Sequence, residues 1–145
     1  MVEDLPDEFW RAIDEFNQGD FYACHDTLEA IWIEAPSSDK NFFQGILQIA
    51  VALYHLNHHN WRGAVILLGE GLNRLRHYQP DEGGIDLEQL QDEASDLLKA
   101  LQTLGADRVS QIVLSHDRTN DRANLSDDQI FLQRPIIQKA ASLSE

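Results

Sequence analysis

The 145 residues are enough for one domain, which would bury about two-thirds of the surface its unfolded chain exposes. With 43% hydrophobic residues, 8 Gly, 4 Pro and no run of 18 apolar residues, neither a membrane span nor a signal peptide is expected, and the expected location is cytoplasmic. The 25 acidic residues against 11 basic ones give a charge of -14, which repels phosphate backbones and anionic lipid, so no nucleic-acid or membrane partner is expected. Cys24 alone can make neither an intrachain disulfide nor a thiolate metal cluster.

In chain order, Pro6 to Phe16 predicts a short helix carrying Phe9, Trp10, Ile13 and Phe16 on one side. Asn17-Gln18-Gly19-Asp20 breaks it, with Gly19 suited to a helix end and Asp20 to the next N-cap. The second helix runs to Ile33 or Glu34, where Pro36 and Ser37-Ser38-Asp39 stop it. Residues 40 to 58, "KNFFQGILQIAVALYHLNH", are the most apolar stretch and predict the central helix, with Phe42, Ile46, Ile49, Leu53 and Leu56 on a broad face. Asn60 caps a fourth helix over 61 to 78. Residues 79 to 85, "QPDEGGI", form a break, and a fifth, amphipathic helix follows over 86 to 104, with Asp86 and Gln89 as a capping box.

Positions 81 to 96 carry seven acids and no base, which reads as the solvated face of that helix. A weak echo at an offset of 41 residues relates "NQGDFYACHDTLEAIW" to "HHNWRGAVILLGEGLNRL" and suggests tetratricopeptide-like hairpins. The fold class expected is all-α: a compact bundle of about five to six helices built from antiparallel hairpins. A bundle domain spans 1–105 and a C-terminal extension 106–145 is irregular, packing on the bundle or partly flexible.

On a helical wheel Phe21, Tyr22, Leu28, Glu29 and Trp32 fall within about 60° of His25, which places an ionisable pair in a stripe expected to be buried. A buried carboxylate must be paired, hydrogen-bonded, protonated or bound to something. The central helix has a matching anomaly, Gln44, Gln48 and His55 on one side. If the second and third helices form a hairpin, His25, Glu29, Trp32, Gln44, Gln48 and His55 would make a polar core layer that is either structural or ligand-binding. His25, Glu29 and His55 are the weak metal candidates within it. No cofactor is called for beyond a possible divalent metal, and "HLNHHN" reads as surface histidines at a helix end.

The ordered motifs "FNQGDFYACHDTLEAIW", "FFQGILQIAVALYHL" and "NWRGAVILLGEGLNRLRHY" resemble the bacterial and archaeal domain-of-unknown-function family 309 over about residues 9 to 78. The resemblance rests on a glycine-containing turn (Asn17, Gly19), a His-x-x-x-Glu-x-x-Trp helix (His25, Glu29, Trp32), a Gln-Gly-x-x-Gln helix (Gln44, Gly45, Gln48, with His55 after it) and an Asn-x-x-Gly-Ala helix start (Asn60, Gly63, Ala64). Asp26 stands where the family often has Glu. The resemblance implies a small helical bundle and offers no established activity to carry over, which leaves the function open.

The leading functional expectation is a binding or interaction module whose partner is a protein, a peptide or a small polar ligand. The alternative is a small metal-dependent hydrolase in which His25, Glu29 and His55 hold an ion that activates water. A homodimer burying an apolar helix face is the third reading.

Overall fold

The computed structural model describes Val2 and residues 5–115 and 128–141. Most of the polar stretch "SHDRTNDRANLSDD", expected to be irregular, lies outside these residues.

Five helices form the body: α1 (Asp7–Asn17), α2 (Phe21–Glu34), α3 (Ser37–Asn57), α4 (Trp61–Leu75) and α5 (Leu87–Leu104). Each packs on the next in sequence, and the short turns joining the first four helices make those neighbours antiparallel, while an eleven-residue connection leads from α4 to α5. The protein is an all-α bundle. Side-chain caps set three of the helix starts, where Asp20, Asn60 and Asp86 accept from the backbone N–H of Ala23, Gly63 and Gln89. Only half of the expected capping box at α5 forms, because the Gln89 side chain donates to Glu93 (3.2 Å) instead of turning back to Asp86.

The core runs from Phe9, Phe16, Leu28 and Phe42 through Ile46, Ile49 and Leu53 to Leu68, Leu90 and Leu97. α3 lies at its centre and contributes ten buried positions, which is why it is the most apolar stretch of the sequence. Helix α4 stops at Leu75, three residues short of the expected end, and the chain turns at Tyr78, whose N–H donates to the Leu75 carbonyl.

After α5 the chain makes a 3-10 segment, Ala106–Gln111, and then β1 (Ile112–Ser115), which pairs in parallel with β2 (Ile130–Gln133), Ile112 opposite Ile130. This ribbon replaces part of the irregular tail expected from the sequence; four-residue strands are too short to show a period-2 pattern.

Past β2 the chain is fastened to the bundle by backbone hydrogen bonds. The Asn17 side-chain amide both donates to the Ile137 carbonyl and accepts from its N–H, each at 2.7 Å. Arg134 donates to the Asn17 carbonyl. Glu93 on α5 accepts from the Ile136 N–H (3.1 Å) and the Gln133 amide (3.1 Å), and the Asp86 N–H donates to the Gln138 carbonyl at 2.7 Å. The Asn17-Gln18-Gly19 turn therefore does more than end a helix: with φ at +83°, Gly19 leaves room beside Arg134 that a Cβ would fill at 2.7 Å.

Candidate functional site

The site expected in the sequence does not assemble as one layer. Helix α2 buries Phe21, Cys24, Thr27 and Leu28, so its buried stripe is centred near Cys24, about 100° away from His25. His25 and Glu29 flank that stripe with side chains 31% and 51% exposed, and a buried pair is corrected to a surface pair. The apolar residues of α2 are spread round the helix, so the wheel alone did not choose between the two sides.

His25 Nε2 lies 3.2 Å from Glu29 Oε2, and Nδ1 lies 3.1 Å from Asp26 Oδ1. Tyr22, 61% exposed, and Tyr54 extend this surface, with ring centroids 5.8 Å apart. Exposed pairs of this kind contribute about 0–1 kcal/mol. His25→Ala is therefore expected to move the urea midpoint by less than about 0.5 kcal/mol equivalent, whereas a buried, paired His25 would cost several times more.

The other members of the expected layer go elsewhere. Trp32 is half-buried beneath Lys40, whose ammonium lies 4.7 Å from the ring centroid and donates to the Trp32 carbonyl at 2.7 Å. Gln44 is half-buried. His55 stands at the α3–α4 turn, where its Nδ1 accepts from the Asn60 side-chain amide (3.2 Å) while Asn60 Oδ1 caps Gly63. A Cβ at Gly63 would come within 3.0 Å of the His55 ring, so the Asn-x-x-Gly start and His55 form one structural unit. His25, Glu29 and His55 do not converge on a metal: among the described residues no three His, Cys, Asp or Glu side chains are grouped to hold one.

Gln48 alone is buried, at 7% exposure, and it faces α4 rather than α2. Its amide donates to Glu70 (3.0 Å) and accepts from Arg74 Nε (3.0 Å), while Arg74 Nη1 donates to Asn41 (2.6 Å). Sequence reasoning missed Glu70, Arg74 and Asn41. The available signal was an i, i+4 acid–base pair on α4 opposite a glutamine on an apolar helix.

Cys24 is fully buried. Burial, aided by the nearby Glu15 and Asp20 carboxylates, pushes its thiol from 9.0 up to about 12. Because the folded value is raised, the stability held in the protonated thiol is complete below pH 9.0 and is lost as pH rises toward about 12. A thiol reagent at pH 8 is expected to label the native protein only as fast as it opens, and the urea-unfolded chain at once; rapid native labelling would contradict this burial.

Between the start of α1, the end of α2 and the start of α3 is a groove of about 520 Å³, lined by Leu5, Pro6, Ala30, Ile31, Ala35 and Phe43, with Glu8, Glu34 and Asp39 around it and Arg11 as its one base. Its size falls in the range of ligand sites.

Residues 9–67, from Phe9 of α1 to Leu67 of α4, match the family model described as Domain of unknown function (DUF309). The uncharacterized protein YpuF of Bacillus subtilis (strain 168) is 31% identical over 90 residues, 60% of this chain and 52% of YpuF, so the chain spans about half the length of this curated relative. Glu70 and Arg74 lie beyond the matched domain. No helix among the described residues is long and apolar enough to cross a membrane.

Proposed function

We propose that the protein is a binding module that takes a segment of a partner protein into the groove between α1, α2 and α3. The observation that carries this reading is the pairing of an apolar floor with an acidic rim: Ile31 and Phe43 below, and Glu8, Glu34 and Asp39 against the single Arg11 above. On a chain of net charge -14, that combination favours an occupant with an apolar anchor flanked by Lys or Arg, drawn in by the field and held by burial. Among the described residues no comparable convergence of metal-binding groups favours the hydrolase reading.

Panning a random peptide library against the folded protein tests this, with Ala30→Trp as the counter-screen. Ala30 is exposed on the groove wall, so the indole fills the groove without entering the core. Enriched peptides should share an apolar residue beside a base and bind the variant at least about tenfold more weakly. Failure to enrich such peptides, or equal binding to the variant, would refute the reading.

A further inference from the structure

The polar depression at the end of α4 carries a second site. Glu70, Asn73 and Arg74 follow one another at i, i+3 and i+4 on α4 and so share a helix face, and His77 lies just past the end of that helix. With Arg76 and Asn41 of α3 they line a hollow of about 390 Å³ whose lining residues are all polar or charged.

Glu70 and Arg74 are spaced to form an i, i+4 ion pair, yet they do not pair directly. The buried Gln48 amide stands between them, its N–H on Glu70 and its C=O on Arg74 Nε, each at 3.0 Å. Placing a glutamine on the apolar helix α3 is costly unless both ends are satisfied, and here both ends are spent on holding an acid and a base side by side. Arg74 is fixed further by Asn41 and keeps three of its five guanidinium donors. The carboxylate and guanidinium are thus held at the two ends of one amide, an acid and a base that line the same hollow.

We infer that this hollow binds a small zwitterion of the α-amino-acid class, its ammonium on Glu70 and its carboxylate on Arg74 with Arg76 beside it. A simple anion fits poorly, because Glu70 shares the hollow and the helix C-terminus presents carbonyl ends. A simple cation fits poorly because Arg74, Arg76 and His77 crowd the same space. The site is independent of the α1–α2–α3 groove, and neither stands or falls with the other.

The test is a titration of the isotope-labelled protein with each proteinogenic L-α-amino acid at millimolar concentrations, reading the amide signals of Asn73 and Arg74. Acetate, inorganic phosphate and putrescine serve as single-charge probes. Glu70→Gln keeps an acceptor for Gln48 and removes the charge, and Arg76→Gln alters an exposed side chain, so both variants should fold. The expected result is saturable binding of at least one amino acid, weakened about tenfold or more in each variant, with no comparable response to the single-charge probes. The inference is overturned if no amino acid shifts these signals, if phosphate or acetate binds as well, or if Glu70→Gln binds unchanged.

Discussion

Phe42→Ala is expected to cost about 3–5 kcal/mol, the range for removing a fully buried aromatic ring, which is a large share of the ~5–15 kcal/mol that holds a domain of this size. Phe42 is fully buried. Its ring packs on Phe43 (centroids 5.4 Å apart), Tyr78 (5.5 Å) and Phe9 (6.0 Å), so one side chain joins α1, α3 and the turn after α4. It also faces Gly83, where a Cβ would stand 2.7 Å from the ring.

Removing the ring therefore empties the junction between the matched domain and the segment that leads into α5. Next to it, the Glu82 carboxylate is buried at 2% exposure and accepts from the backbone N–H groups of Gln79 (3.0 Å) and Val2. Urea unfolding should show the full loss in its midpoint. Hydrogen exchange should show the largest loss of protection at Tyr78 and Gly84–Ile85, whose backbone N–H groups donate within this turn. A loss below about 1 kcal/mol would mean that the junction collapses to fill the space.

The sequence displayed the bundle because each helix carries its own punctuation. Asp20, Asn60 and Asp86 are N-caps in the structure as in the reading, and the spacing of Phe42, Ile46, Ile49, Leu53 and Leu56 marked the central helix. Side choice was legible only where one face was decisively apolar. On α2 a stripe centred on His25 and one centred on Cys24 share Phe21 and Leu28, and periodicity ranks the two about equally. The burial of Cys24 settles the matter in the fold.

Gln48 shows the complementary limit. Its position on an apolar helix signalled a buried polar group, but its partners Glu70 and Arg74 lie 22 and 26 residues away on α4. That pairing depends on which helices touch. The double hydrogen bond between Asn17 and Ile137 crosses 120 residues and was equally invisible, since nothing local to "FNQGD" says that its asparagine serves a distant backbone.

Two glycines on α4 should respond to the same substitution with opposite signs, which isolates the helix contact that brings Gln48 to Arg74. A Cβ at Gly71 would meet the Gly45 carbonyl oxygen at 2.8 Å and Ile49 Cγ1 at 2.9 Å, while at Gly69 there is nothing within 4 Å. The nearest atom at Gly71 is backbone on a helix buried on both sides, so relief requires α3 and α4 to separate along their length. Gly45 meets the reciprocal limit against Leu75, whose Cγ would lie 2.6 Å from a Cβ.

Gly71→Ala gains the helical propensity of alanine, about 1 kcal/mol, but overpacking of a filled core costs about 1–3 kcal/mol. Here the clash is with a carbonyl that cannot rotate away, which puts the cost toward the upper end. The expected net effect is a destabilisation of about 1–2 kcal/mol. Gly69→Ala takes the propensity gain without the clash and should stabilise by about 0.5–1 kcal/mol. Paired urea titrations with unchanged slope would measure both. Equal effects at the two positions would mean that α3 and α4 do not approach through Gly45 and Gly71. Opposite effects would identify this glycine contact as the spacing that lets a glutamine on α3 reach both charges on α4.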